Sequence, residues 1–254
     1  MSSMPETPSL LIIKTGSAPE RIRTRHGDFD DWFRRGLGEY RFRYDIIAVD
    51  QGHGLPDPLS VEHYAGIVVT GSPAMVSSRQ DWSERTAAWL AAVHDHARPL
   101  LGVCYGHQLI AHALGGRVGP NPHGRRMGTH ALRISTDDDA LLTAAVDGMV
   151  VHSTHVEAVL EPPPGTQVLA SADGDPHHAL HFGNRSWGVQ FHPEFDADIM
   201  RAYVRERRNE LRAEGFDDDA LARAVVDAPL GDELLTRFAA LCGRRNHECH
   251  AVGT

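Results

Sequence analysis

A cysteine between two glycines is the feature of this sequence most able to do chemistry. An apolar run over residues 100–103 leads into the pattern Gly102-x-Cys104-x-Gly106, and a helix-like stretch follows immediately. Glycines two residues before and two residues after Cys104 remove the Cβ atoms that would collide in a sharp strand-to-helix turn. Such a turn presents the sulfur at a sheet edge and directs backbone N–H groups at a carbonyl under attack. Taken alone, the motif is equally compatible with a tight turn around a buried cysteine.

His192 and Glu194 form a second candidate pair, in a His-Pro-Glu segment that follows an apolar strand-like run. Pro193 fixes its own φ and restricts His192 to extended geometry, so the imidazole is held rigidly. Residues two apart on an extended backbone point the same way. We therefore expect the Glu194 carboxylate to bind one ring nitrogen and leave the other for the sulfur of Cys104. In isolation the segment is more typical of a surface turn; with the cysteine motif it predicts a Cys–His–Glu triad.

Donors for an oxyanion are predicted one strand earlier, where the apolar run 67–69 ends in Thr70-Gly71-Ser72-Pro73. Gly71 lets the backbone turn its amide groups toward the sulfur. We expect the turn at Gly71, the N–H of Ser72 and the N–H of Tyr105 to form the oxyanion hole. Without the other motifs, this segment is equally typical of an ordinary strand-to-loop turn.

Short apolar strands alternate with amphipathic helices through the first half of the chain. Predicted strands cover residues 10–13, 44–49, 66–70 and 99–103, and predicted helices cover 29–37, 82–97 and 106–114. Apolar strands between helices predict an α/β fold, an open, mostly parallel twisted sheet with helices on both faces. In such a sheet the carboxyl ends of the strands share one edge, which can bring Cys104 and His192 together.

The middle of the chain has a different pattern. Five short strand-like pieces separated by turn residues predict an antiparallel continuation of the sheet, at residues 129–134, 150–152, 156–160, 167–170 and 179–182. His177 and His178 are assigned to a loop. Arg125 and Arg126 could contact a partner or a substrate carboxylate, but a position in solvent is the favoured assignment. Beyond residue 196 the pattern is helical. We divide the chain into an α/β domain over residues 1–200, a short helical C-terminal extension over 201–242 and a flexible tail over 243–254.

Composition narrows the classes of protein. The chain of 254 residues is long enough for one substantial core, and its formal net charge of −9 argues against nucleic acid as a partner. Residues 1–9 carry no basic segment, and the apolar run 10–13 is too short for a signal peptide or a membrane span. Three cysteines are too few for a disulfide framework. We therefore expect a cytoplasmic protein with no nucleic-acid or membrane partner.

No metal or cofactor is expected from the sequence. Cys242, His247, Cys249 and His250 could gather near the C-terminus. Their spacing lacks the paired pattern of zinc sites, so we predict no metal there.

The three motifs resemble those of class I, triad-type glutamine amidotransferases. Gly-Val-Cys-Tyr-Gly-His-Gln around Cys104, the Gly-x-Pro turn at 71–73 and Gly-Val-Gln-Phe-His-Pro-Glu ending at Glu194 carry the resemblance. It covers roughly residues 40–200 and is closest to the amidotransferase domain of GMP synthase and its free-standing relatives. It implies a flavodoxin-like sheet and hydrolysis of the glutamine side-chain amide to glutamate and ammonia through a cysteinyl γ-glutamyl thioester.

The resemblance also implies roles for single residues. Cys104 would be the nucleophile, His192 the acid and base, and Glu194 the carboxylate that orients the histidine. The resemblance implies no cofactor. The substrate would be glutamine or another γ-glutamyl amide, and the ammonia could pass to a separate synthetase.

The resemblance also implies which residues bind the substrate. Gln108 would hold the glutamine, and Ser153 and His155 lie in the segment that lines the family's pocket. The chain departs from the family pattern at Ser72, where many members have glycine, and at 156–157, which reads Val-Glu where Gly-Asp or Arg-Asp is common. No synthetase motif follows the triad, so we do not expect full GMP synthase activity from this polypeptide alone.

Two other functions stay open. A γ-glutamyl peptidase that acts on γ-glutamyl amides such as glutathione conjugates would use the same elbow, hole and triad with a different leaving group. A non-catalytic partner or regulatory subunit is the third alternative, and the three filled triad positions argue against it. Labelling by an electrophile that mimics glutamine would separate the third function from the other two.

Overall fold

The computed structural model describes residues 7–39, 41–136, 138–143 and 145–243. The strands of this part of the chain are β1 (Ser9–Lys14), β2 (Arg43–Ala48), β3 (Tyr64–Val69), β4 (Leu100–Val103), β5 (Arg117–Pro120), β6 (Arg126–Ile134), β7 (Val150–His155), β8 (Glu157–Glu161), β9 (Gln167–Ala172), β10 (Asp175–Gly183) and β11 (Ser186–Val189). Its α-helices are α1 (Glu20–His26), α2 (Phe29–Leu37), α3 (Asp81–His94), α4 (Tyr105–Ala113), α5 (Ala197–Glu206), α6 (Arg208–Ala213), α7 (Asp218–Ala224) and α8 (Leu230–Gly243).

A nine-stranded sheet runs through the molecule in the order β2-β1-β3-β4-β11-β10-β9-β6-β7. The first five of these strands are parallel to one another. Their order is that of a flavodoxin-like sheet, in which ligands bind at the strand carboxyl ends beside the β1–β3 reversal point. The predicted open α/β sheet and its first four strands are confirmed.

Both faces of the parallel section are buried. Leu10 and Ile12 of β1 lie in one apolar cluster with side chains of α2 and α8, whereas Leu11 and Ile13 lie in another with side chains of α3 and α4. Alternate strand residues point to opposite faces, so one strand contributes to both clusters. Helices on both faces bury both sides of the sheet, which explains why the strands read as apolar runs.

The antiparallel continuation is also confirmed. Strands β10, β9, β6 and β7 pair antiparallel, and β5 pairs with β8 in a separate two-stranded sheet. The assignment of His177 and His178 to a loop is wrong, because both lie within β10. The strand continues through Pro176, with an irregular register against β9 between Asp175 and Ala179.

The C-terminal helices pack on the same body. Ile199, Met200 and Tyr203 of α5 form a third apolar cluster with Trp32 of α2 and with Phe195. The proposed domain boundary at residue 200 falls inside α5 and remains a prediction. Residues 244–254, with nearly all of the predicted tail and three of the four residues considered for a metal cluster, lie outside the described residues. In the part of the chain that the structure describes, no helix is both long and apolar enough to cross a membrane.

Candidate active site

Three neighbouring strands end side by side at the edge where the candidate residues lie. Val69 of β3 is in register with Gly102 of β4, and Val103 of β4 is in register with Val189 of β11. The Gly71-Ser72 turn, Cys104 and His192 each follow one of these strand ends. The parallel sheet therefore brings together segments that are far apart in the sequence.

Cys104 has a backbone conformation that L-residues rarely adopt. Its φ is 51° and its ψ is −101°, between the end of β4 and the start of α4. The Cys104 N–H donates to the Val189 carbonyl at 2.8 Å, and the Gly106 N–H donates to the Thr70 carbonyl at 3.1 Å. These bonds to two neighbouring strand ends hold the strained turn, and strain of this kind is typical of a nucleophile elbow.

The two glycines around Cys104 are required by close backbone contacts. A Cβ on Gly102 would lie 2.5 Å from backbone atoms of Gly106, and a Cβ on Gly106 would lie 2.3 Å from the carbonyl oxygen of Val69. Backbone atoms at these positions cannot move aside as a flexible side chain would. The structure therefore confirms that a Cβ at either position would collide with the backbone, as the sequence pattern predicts.

His192 and Glu194 form a buried pair, with Nδ1 of His192 2.7 Å from Oε1 of Glu194. The expected extended backbone is wrong: Pro193 and Glu194 form a turn, in which the Phe195 N–H donates to the His192 carbonyl at 3.3 Å. The turn folds the carboxylate back onto the imidazole. Phe195 then stacks on that ring with centroids 4.1 Å apart, which fixes its orientation.

The charge state of His192 follows from its neighbours. Burial alone lowers its pKa, but the Glu194 carboxylate and then the Cys104 sulfur outweigh burial and raise the pKa to about 10. The Nε2 atom is buried and has no hydrogen bond of normal geometry, and the Cys104 thiol donates to the Thr154 carbonyl at 3.7 Å. With this raised pKa the imidazole is a cation at neutral pH and can supply a proton from the site.

We expect Glu194→Gln to move the alkaline limit of activity to lower pH. The pKa of His192 lies above the ordinary value of 6.5, so the stabilising charge interaction is fully present below 6.5 and is lost as pH rises through about 10. Without the carboxylate the pKa falls, and we expect kcat/KM to drop by about 10²–10⁴-fold. The measurement is the pH profile of kcat/KM for the wild type and the variant.

Glu62→Gln is the matched control, because Glu62 is exposed and lies outside the site. Its pH profile should superimpose on that of the wild type. An unchanged alkaline limit in Glu194→Gln would show that the carboxylate does not set the protonation of His192.

A cavity opens above the sulfur. Six of the residues singled out in the sequence form part of its wall. Ser72, Cys104, Tyr105, Gln108, His155 and His192 line it. Glu194 lies behind His192, and Gly71 lies against the imidazole, since a Cβ on Gly71 would be 2.9 Å from Cε1 of His192.

Gln108 lies one turn into α4 and is buried. Its Nε2 donates to the Glu157 carbonyl at 2.8 Å and to Oε1 of Gln190 at 2.9 Å. Both hydrogens of the amide are therefore used by the protein, and the side-chain oxygen is the group left for a ligand.

His155 and Ser153 differ in their access to the cavity. Nδ1 of His155 is 2.8 Å from the Glu157 carbonyl, which fixes the tautomer and leaves Nε2 as an unpartnered acceptor. Burial lowers the pKa of His155 to about 3, so this ring is neutral. Ser153 is fully buried outside the cavity wall, with Oγ 3.1 Å from Nε2 of His178. The predicted contact between Ser153 and a substrate does not match this position.

In the described part of the chain, one group of residues behind the cavity has the geometry of a metal site. His155, Asp175 and His178 are buried, and their potential ligand atoms lie within 4.8 Å of one another. Nδ1 of His178 is 2.8 Å from Oδ2 of Asp175, so the cluster is already joined by a charge-assisted hydrogen bond. Cys242, considered for a metal from the sequence, is instead buried in the apolar core.

The cavity lining also includes Glu157, Arg125, Tyr203 and Arg207. The assignment of Arg125 to solvent is wrong, because its side chain is only 16 % exposed and pairs with Glu214. The place of Glu157 at the cavity could have been predicted, because it lies two residues after His155 in the sequence. Tyr203 in α5 and Arg207 at its end had no such signal, because their position depends on how that helix packs over the sheet edge.

Comparison with known proteins gives the family of the chain. The sequence model described as Glutamine amidotransferase class-I matches residues 26–207, which is most of the chain. The chain belongs to the class I glutamine amidotransferase family. The fold of this amidotransferase is also that of a crystal structure described as a glutamine amidotransferase from Thermotoga maritima, with a TM-score of 0.75, 20% identity and coverage of 94% of this chain and 100% of that one.

Curated relatives fall into two groups. Gamma-glutamyl peptidase 3 of Arabidopsis thaliana is 27% identical over 222 residues, which cover 85% of this chain and 88% of the relative. The glutamine-hydrolyzing GMP synthase of Aeropyrum pernix is 32% identical over 195 residues, which cover 76% of this chain but 34% of the relative. The amidotransferase thus spans almost the whole length of the first relative and about a third of the second.

Proposed function

We propose that this protein hydrolyses the side-chain amide of glutamine, or a related γ-glutamyl amide, through a thioester on Cys104. The observation that carries the proposal is the strained turn that holds Cys104 at the cavity, beside an imidazole paired with a buried carboxylate. A thiolate beside a cationic imidazole is an activated nucleophile.

The proposed reaction has two steps. The Cys104 sulfur attacks the γ-carbonyl carbon, the C–N bond breaks, and the departing amine takes a proton from His192. The imidazole then removes a proton from water, whose oxygen attacks the thioester carbon and releases glutamate and the free sulfur. The N–H groups of Ser72 and Tyr105, with the Gly71 turn, are the proposed oxyanion donors, each worth about 2.7–4 kcal/mol in comparable sites.

The proposed glutamyl contacts come from the cavity wall. The side-chain oxygen of Gln108 is the proposed hydrogen-bonding group, and the neutral ring of His155 is proposed to pack against the glutamyl chain. We propose that Ser153 has only an indirect role, through its hydrogen bond with His178. We propose a cytoplasmic location, and a separate synthetase as the acceptor where ammonia is the product.

A second candidate is a γ-glutamyl peptidase, which makes the same thioester but releases an amine other than ammonia. The similarity to the Arabidopsis peptidase over nearly its entire length favours this candidate. A non-catalytic role fits less well, because a strained cysteine is costly to maintain without a function.

The test is an assay of glutamate release by the purified chain, with glutamine and with γ-glutamylglycine as separate substrates. We expect glutamate from at least one of them without any other protein. Release of no glutamate from either substrate, with or without candidate synthetases, would contradict the proposed function.

A further inference from the structure

The buried cluster of two histidines and an aspartate behind the cavity belongs to two strands. His155 ends β7, and Asp175 and His178 lie in β10. The three side chains are at most 2 % exposed, and their potential ligand atoms lie within 4.8 Å of one another. Neither Asp175 nor His178 takes part in the proposed thioester chemistry, so the cluster needs a separate explanation.

The side chains converge because β10 is irregular. Residues three apart on a regular strand point to opposite faces of the sheet, so Asp175 and His178 would diverge. The register of β10 against β9 shifts between Asp175 and Ala179, and Oδ2 of Asp175 lies 2.8 Å from Nδ1 of His178. Irregularities of this kind re-aim side chains and are common beside functional sites.

The hydrogen bonds of His155 decide which of its nitrogens can bind a ligand. Nδ1 lies 2.8 Å from the Glu157 carbonyl, which can only accept, so Nδ1 carries a proton. Nε2 is buried, has no hydrogen-bond partner among the described residues and lies 3.8 Å from Oδ2 of Asp175. A protonated Nε2 would approach the carboxylate to hydrogen-bond distance, as Nδ1 of His178 does. Nε2 is therefore an acceptor, and it faces a second acceptor.

Two buried acceptors that face each other are unfavourable unless a cation lies between them. Burial keeps bulk water from both Nε2 of His155 and the Asp175 carboxylate, so neither is solvated in the ordinary way. A metal ion bound by both atoms satisfies both at once. Their separation of 3.8 Å is close to the roughly 3.3 Å between two ligand atoms bonded at about 2.0–2.1 Å to a tetrahedral zinc ion.

Hydrogen bonds outside the cluster orient the other two ligands toward its centre. Nε2 of His178 is 3.1 Å from Oγ of Ser153, so a proton on Nε2 leaves Nδ1 free to bind a metal ion. Oδ1 of Asp175 accepts from the His177 N–H at 3.1 Å, which leaves Oδ2 for the centre. Outer partners of this kind accompany metal-binding histidines and carboxylates.

We propose that His155, Asp175 and His178 bind a zinc ion, through Nε2, Oδ2 and Nδ1 respectively. Two imidazoles and a carboxylate suit zinc, with water in a fourth position, whereas magnesium and calcium prefer oxygen ligands throughout. His155 also lines the cavity, so the ion joins part of the cavity wall to β10. This inference goes beyond the proposed function and does not depend on it.

The test is calorimetric titration of zinc chloride into metal-free protein that carries Cys104→Ala and Cys249→Ala. These two changes remove the catalytic thiol and a thiol near the C-terminus as competing ligands. We expect one zinc ion per chain, with a dissociation constant of about 1 μM or lower. Adding Asp175→Asn or His178→Gln to this parent protein should weaken zinc binding by more than about 100-fold, because each removes a ligand.

Two further variants grade the result. Ser153→Ala removes the outer partner of His178 and should weaken zinc binding by about 10–100-fold. His181 lies on the same strand beside another carboxylate, that of Asp139, but outside the cluster. His181→Gln is therefore the matched control and should keep the affinity of the parent protein.

Thermal unfolding separates loss of the site from loss of the fold. Zinc at about 100 times its dissociation constant should raise the Tm of the parent protein by about 5–10 °C. Asp175→Asn and His178→Gln should show no such shift at the same zinc concentration. Where either variant fails to fold without zinc, the Ser153→Ala comparison and the ligand identities decide.

X-ray absorption at the zinc edge identifies the ligands in the parent protein itself. We expect nitrogen and oxygen at about 2.0–2.1 Å, with two imidazole rings. Fewer than two imidazoles would overturn the proposal, as would a dissociation constant above about 1 mM or an unchanged affinity in Asp175→Asn and His178→Gln. None of these measurements requires turnover, so their failure would leave the proposed function standing.

Discussion

Cys104→Ala is expected to abolish hydrolysis of γ-glutamyl amides, with a loss of about 10⁴–10⁶-fold in kcat, the scale seen when a triad nucleophile is removed. The sulfur forms and breaks the bond to the substrate, and no other group in the cavity can replace it. Alanine fits the space and the same turn, so we expect the free energy of unfolding to change by about 1 kcal/mol or less. The measurements are steady-state hydrolysis and denaturant unfolding of the same preparation.

Cys242→Ala is the matched control. Cys242 is buried in the core on α8 and does not line the cavity, and burial raises the pKa of its thiol to about 12. We expect this variant to lose about 1 kcal/mol of stability and to retain its kcat/KM. Substantial hydrolysis by Cys104→Ala would refute the nucleophile assignment, and a similar loss of activity in both variants would attribute the effect to the fold.

Gly106→Ala is expected to destabilise the protein by about 3 kcal/mol and to remove most activity. Helix propensity alone would predict the opposite sign, a gain of about 1 kcal/mol, because Gly106 lies within α4. The added Cβ would lie 2.3 Å from the Val69 carbonyl oxygen and would push α4 away from β3. This displacement would also move Tyr105 and the turn at Cys104.

Gly54→Ala provides the comparison for Gly106→Ala. Nothing lies within 4 Å of a Cβ at Gly54, and its backbone does not require a positive φ. We expect this change to be neutral or slightly stabilising. A Gly106→Ala protein as stable and active as Gly54→Ala would show that the elbow does not depend on this close approach.

The parallel sheet could be predicted because its strands are local apolar runs. The central residues of β1 and β3 and all of β4 are buried on both faces, so each strand contains a continuous apolar run. Two elements were not predicted, for physical reasons. The helix α1 is rich in charged residues and buries only Ile22, and β5 contains both glycine and proline. Such segments are defined by their neighbours and carry little local signal.

The residues of the site also fall into a group that the sequence predicts and a group that it does not. Cys104, His192 and Glu194 lie in two short motifs whose local chemistry suggests their roles, and the structure brings these motifs together. The backbone between His192 and Glu194 is a turn, which a proline-restricted extended segment does not predict. The position of Arg207 could not be predicted from the sequence, because it reaches the cavity only through the packing of α5 over the sheet edge.

The measurement that tests the account most directly is covalent labelling by a diazoketone analogue of glutamine, followed by intact-mass and peptide analysis. The sulfur displaces dinitrogen and forms a C–S bond, so the label records both nucleophilicity and recognition of the glutamyl group. We predict one label per chain, on Cys104, with its rate slowed by glutamine or γ-glutamylglycine and greatly reduced in Glu194→Gln. Labelling of Cys242 or Cys249 instead, or labelling of Cys104 that neither substrate slows, would contradict the account.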